Sequence, residues 1–172
     1  MEERPGAVRL GEETLTVRGP VLAPGDRAPH FNLLAPDFSK KSLTDYTGRP
    51  LFLSVVPSLD TSVCDLQTRR FEEAAAELRG RARFLTVSVD LPPAQQRWRK
   101  VASTEHMDFL SDHLDLSFGD AWGTHVLEIR QEQRAVFVVD AGGIVRYAEY
   151  VPEIGRHPDY DAALEALREL TG

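Results

Sequence analysis

Two nearly continuous apolar runs, residues 51–56 (LFLSVV) and 84–89 (FLTVSV), constrain the fold of this chain more than anything else in it. Neither alternates polar with apolar residues, so each reads as a strand covered on both faces. Residues 62–79 between them have helical spacing. Leu66, Arg70, Ala74 and Leu78 recur, Phe71 and Ala75 lie alongside, and Gly80 is a natural stop. Strands joined through a helix pair in parallel.

The flanking segments extend this unit. Residues 14–17 and 21–22 flank Arg18-Gly19-Pro20, which reads as an N-terminal β-hairpin broken by Pro24-Gly25-Asp26. Residues 31–34 form a short strand, and 43–46 a turn closed by Gly48. After the break at Asp90-Leu91-Pro92-Pro93, residues 94–103 are helical, 109–110 a short strand, and 116–122 a short helix ending at Gly123. Residues 135–140 and 144–150 are strands joined by Ala141-Gly142-Gly143, and 159–170 closes the chain as a helix with Leu164, Leu167 and Leu170 on one side. The expected class is α/β: one thioredoxin-like domain over residues 1–172, its mixed central sheet flanked by helices, with the hairpin added at the N-terminus.

With 42% hydrophobic and 27% charged residues the chain reads as a globular protein. Its net charge of −7 argues against nucleic acid, which wants a basic face, and against a polybasic membrane patch. No run is long enough to cross a bilayer, and residues 1–13 lack a signal-peptide core. The cytoplasm is the expected compartment, as it is for one unpaired cysteine.

That cysteine, Cys64, ends the run PSLDTSVC. Being alone, it forms no disulfide within its chain, and if it works, it works as a thiolate. It falls in the first turn of the expected helix, where free N–H groups and the helix dipole favour negative charge. Against this, a free cysteine often serves as a small buried hydrophobe, a threonine before a helix is usually a cap, and a proline after a strand is often only its terminator. The joint spacing carries the information.

That spacing, P-x-x-x-T-x-x-C over Pro57, Thr61 and Cys64, resembles the peroxidatic motif of peroxiredoxins. The blocks SVVPSLDTSVCDLQTRRF, SVDLPPAQQRW, LSDHLDLSFGDAWG, RAVFVVD, YVPEI and HPDYDAALEAL look like the thiol peroxidase subfamily, over about residues 15–167. The resemblance implies an enzyme that reduces hydrogen peroxide or organic hydroperoxides. Cys64 would be the nucleophile and pass through a sulfenic acid. Thr61 would place its hydroxyl beside the sulfur and the peroxide, Pro57 would shield the sulfur from water, and Arg134 would favour the thiolate and hold the peroxide oxygens. Without the resemblance, Arg134 is only a charge at the start of a strand. A homodimer is implied too; a cofactor is not.

The chain departs from the subfamily at one position. Thiol peroxidases commonly carry a resolving cysteine in the helix after D-L-P, and here that position is Arg99. The implied cycle then uses one cysteine and an external thiol or redoxin. Arg99 is either solvated or in contact with that reductant, beside a packing Trp98. The alternative is a peroxide sensor with little turnover, and a third reading is a binding protein with weak catalysis. The five histidines, His30, His106, His113, His125 and His157, show no metal-ligand spacing, so no metal is expected.

Overall fold

The structure, a computed structural model, describes residues 1–172. In chain order it contains β1 (Glu3–Leu10), β2 (Glu13–Arg18), β3 (Asn32–Leu34), β4 (Lys40–Ser42), a 3₁₀ turn (Leu43–Tyr46), β5 (Leu51–Val55), α1 (Ser62–Glu77), β6 (Arg83–Ser88) and α2 (Pro92–Ala102). Then follow β7 (Asp108–Ser111), α3 (Ser117–Trp122), β8 (His125–Val126), β9 (Gln131–Glu132), β10 (Ala135–Val139), β11 (Val145–Tyr150) and α4 (Tyr160–Thr171).

The continuous apolar runs are central strands, as their composition requires. The main sheet has the order β11-β10-β5-β6-β7-β3-β4. The pairs β5–β6 and β6–β7 are parallel, and β10 joins β5 antiparallel. All of β5 and β10 is buried. Alternation along β5 sends Leu51, Leu53 and Val55 to a core containing Phe31, Phe118, Trp122 and Phe137, and sends Phe52 to the opposite core under α1, α2 and α4. Cys64, Phe71, Trp98, Phe109, Leu164 and Leu167 belong to that second core. Each such large side chain, fully buried, contributes about 1.5–3 kcal/mol. The mixed sheet with helices on both faces is the thioredoxin-like arrangement expected. No helix is long and apolar enough to cross a membrane.

The N-terminal hairpin exists, but its turn is elsewhere. β1 pairs with β2 through Gly11-Glu12, and β2 runs on through Arg18. The β1 sequence, ERPGAVRL, buries only Val8 fully, so no alternation announces it. Gly19-Pro20 is instead a close crossing. A Cβ on Gly123 would collide with the Pro20 carbonyl oxygen, so this contact admits only glycine. The hairpin also belongs to a second sheet, β1-β2-β8-β9, over a small core of Val8, Leu15, Val17 and Val126.

Helix α1 turns Phe71, Ala74, Ala75 and Leu78 inward, as the apolar spacing suggests, but two of the spaced residues stay outside. Leu66 is 55% exposed and Arg70 is exposed, while Cys64, Gln67, Thr68, Phe71, Ala74 and Ala75 are buried. Two polar residues occupy the inner stripe because their hydrogen bonds are met there. Gln67 donates to the Ser54 hydroxyl at 2.8 Å, and Thr68 donates to the Cys64 carbonyl at 2.7 Å.

Candidate active site

Strand β5 and helix α1 meet at the cysteine. Residue 56 still donates to the Val87 carbonyl at 3.0 Å, and then the buried Pro57, which has no N–H, ends the pairing. The chain turns over Ser58–Asp60 into α1, with Thr61 as N-cap in extended conformation. Cys64 is therefore the third helical residue. No side chain caps this helix. The N–H groups of its first turn, that of Cys64 included, are left to a ligand.

Thr61 is exposed, and its hydroxyl donates to the Ser58 carbonyl at 3.0 Å. With its proton engaged, its oxygen presents lone pairs to an incoming O–H. Cys64 itself has no exposed surface. The larger surface clefts lie elsewhere; one of about 590 Å³ is lined by Pro36, Pro93, Gln96, Arg97, Lys100 and Val101. The sulfur is thus beneath the surface, shielded from bulk water.

Burial alone would suit an inert thiol. Arg134 adds a buried charge to the same face of the helix. The residue just before β10 is only 1% exposed, although the sequence by itself suggested a surface charge. Its Nη1 donates to the Gln67 side-chain oxygen at 2.9 Å, and its Nη2 to the Ile154 carbonyl at 2.8 Å. Its Nε has no partner, and no carboxylate pairs with it. Gln67 is three residues beyond Cys64, so the two share one face of α1. By holding Arg134, Gln67 brings a buried, unneutralised cation to the face that carries the thiol. Such a cation is costly without an anion beside it.

Tyr160 marks the same place independently. Burial pushes its hydroxyl up, Arg134 and Arg70 pull it back, and Cys64 raises it, so three groups act on one phenol. Its hydroxyl bonds His157 Nδ1 at 2.7 Å, and its ring packs on Phe71 at 5.3 Å. Neither Gln67 nor Tyr160 was singled out from the sequence. Tyr160 stood in the block HPDYDAALEAL but showed only as the start of a helix. Gln67 was invisible because a polar residue inside a helix stripe breaks the pattern that reveals the stripe.

Arg99, where a second thiol would stand, lies on α2. It is half-buried, its guanidinium 5.5 Å over the Phe109 ring and its Nη1 bonded to Gln96 at 3.4 Å. It is neither freely solvated nor joined to Cys64. Trp98 packs as expected, on Phe109, and its indole N–H donates to Asp65, the residue after Cys64, at 3.0 Å.

The Redoxin family matches residues 23–164. A thiol peroxidase of Halalkalibacterium halodurans is 51% identical over 90% of this chain and 92% of its own length. A thiol peroxidase of Bacillus subtilis is 46% identical over 91% and 93%. Among solved structures, a peroxiredoxin-like protein from Aquifex aeolicus superposes with a TM-score of 0.88 at 32% identity, covering 96% of this chain and 97% of that one.

Proposed function

This chain belongs to the redoxin family, as a thiol peroxidase of the peroxiredoxin kind, and we propose that Cys64 alone carries its cycle. The Cys64 thiolate attacks one oxygen of hydrogen peroxide or an organic hydroperoxide. The O–O bond breaks, and the other oxygen leaves, with a proton, as water or an alcohol. Cys64 is left as a sulfenic acid. An external thiol or a redoxin then attacks that sulfur, water departs, and a mixed disulfide forms. A second thiol releases the disulfide and returns Cys64 reduced. The chain has one cysteine, so the resolving sulfur comes from outside it.

The observation that carries this reading is the buried Arg134, unpaired at Nε and fixed by Gln67 on the face of Cys64. In the ground state its charge stands on the face of α1 that carries Cys64. In the transition state charge moves to the departing oxygen, and a guanidinium N–H and the open N–H of Cys64 are donors for it. Losing one such donor typically costs about 3 kcal/mol. Thr61 accepts the peroxide O–H, having given its own proton to Ser58. Pro57 walls the pocket without adding an N–H that would compete for the sulfur.

We also propose a homodimer in the cytoplasm, the first from the kinship with thiol peroxidases and the second because a lone working thiol needs a reducing compartment. The deciding experiment is peroxide consumption against a panel of small thiols and redoxins, with Cys64→Ser as control. Sustained turnover with at least one reductant and none in the variant supports the enzyme. One fast oxidation followed by slow recovery with every reductant would favour a sensor.

A further inference from the structure

We infer that Asp90 is a positioning residue of the peroxidatic site, acting through Thr61; the inference rests on the function proposed above. Its basis is the route of the chain between Pro57 and α1. The ladder between β5 and β6 stops near the Val56 N–H, and residues 58–60 leave the sheet with no strand beside them. The side chain of Asp90, just past the end of β6, supplies what the ladder no longer does. Its Oδ2 accepts the Leu59 N–H at 2.9 Å and its Oδ1 accepts the Ser58 hydroxyl at 3.0 Å. The carboxylate thus stands in for the missing rung. The Ser58 carbonyl, fixed by this grip, accepts the Thr61 hydroxyl.

Asp90 is itself held from three elements. The Ser88 hydroxyl of β6 donates to its Oδ2 at 2.7 Å, and the Ser111 hydroxyl of β7 donates to its carbonyl at 2.6 Å. Gln95 of α2 donates to the Ser88 hydroxyl at 3.1 Å, keeping that oxygen turned toward Asp90. A chain of bonds therefore runs from the rigid parallel strands, through Asp90 and the Ser58 peptide, to the Thr61 oxygen. Asp90 does not touch the reacting atoms. It sets the direction of the Thr61 lone pairs relative to the sulfur, and small errors of placement in such a group are expensive.

The test is a double-mutant cycle on two rate constants, oxidation of reduced protein by peroxide and reduction of the sulfenic acid by a small thiol such as 2-mercaptoethanol. Asp90→Asn keeps the volume but turns an amide donor toward groups that are themselves donors. It should slow the peroxide step about 10- to 100-fold, while the thiol step stays within about twofold. In a Thr61→Val background the same change should add less than about twofold, because its route to the chemistry is gone. An unchanged peroxide step, an equal loss in both backgrounds, or an equal loss in both steps would overturn the inference. If Asp90→Asn fails to fold, Ser58→Ala, which removes only the bond to Oδ1, enters the same cycle with the same criteria. Failure of the functional reading looks different: unsubstituted protein would then show no fast peroxide step at all.

Discussion

A guanidinium kept out of water with no carboxylate beside it needs a reason, and the proposed function gives Arg134 one. Its fork is matched to two acceptors, Gln67 and the Ile154 carbonyl. A lysine has the charge but cannot make that fork. Arg134→Lys should lower the second-order rate constant for peroxide by about 100-fold, a loss of about 3 kcal/mol of transition-state stabilisation, as measured by stopped-flow oxidation. Gln67→Ala leaves Arg134 in place but loosens it, and a loss of about tenfold is expected in the same assay. At this scale the spacing of Pro57, Thr61 and Cys64 is legible in the sequence, and the structure puts all three at the junction of β5 and α1. The burial of Arg134 is not legible, since nothing local distinguishes a buried arginine from a surface one. Gln67 and Tyr160 were not legible, because their roles exist only once α1, β10 and α4 converge.

Among the elements, those with an apolar run or a clear stop could be read, short ones included, and those without, such as the eight-residue β1, could not. β5, β6, β10 and α1 are dictated by their own apolar runs and stops. β8 and β9 have two residues each, too few for any period, and take their form from the hairpin they join. Their packing yields two predictions. Gly123 ends α3 at φ +74° against the Pro20 carbonyl. Gly123→Ala should cost about 3 kcal/mol or more, read as a lower denaturation midpoint, because both the left-handed backbone and the close approach forbid a Cβ.

The second concerns Glu132 of β9, which is fully buried and accepts the Thr124 hydroxyl. Burial first, then its neighbour Asp112, pushes its carboxyl well above the ordinary carboxylate range, so it is held protonated. Asp112 is also raised by burial, yet it accepts the Phe118 and Gly119 N–H groups, which favour its charged form. A carboxyl raised on folding binds more protons in the native than in the unfolded chain. Its stabilisation is complete below the unfolded value near 4.5 and declines as pH climbs toward its folded value. Glu132→Gln imitates the protonated form. The variant should therefore gain melting temperature over the parent as pH rises through that window, with the difference smallest at acid pH. A constant difference across the window would contradict the assignment.

For the whole molecule, the sheet is a frame: β10 pairs antiparallel with β5, Ala135 opposite Val55, so residues 57–64 and residue 134 lie at the same end of it. The class of fold followed from the order of strands and helices alone. The second sheet did not, because its strands come from two stretches far apart in sequence, residues 3–18 and 125–132, and its core holds only four buried side chains. What this frame lacks is a second thiol: the place for it on α2 holds Arg99, stacked over Phe109. The central claim, that Cys64 does the chemistry alone and is resolved from outside, is tested most directly by the intact mass of the protein through one cycle. Reduced protein given one equivalent of hydrogen peroxide should gain the mass of one oxygen atom at Cys64. A small thiol should then convert that species to a mixed disulfide, and excess thiol should restore the starting mass. A protein that stays unmodified while peroxide disappears, or one that passes straight to a disulfide-linked dimer before any thiol is added, would contradict it.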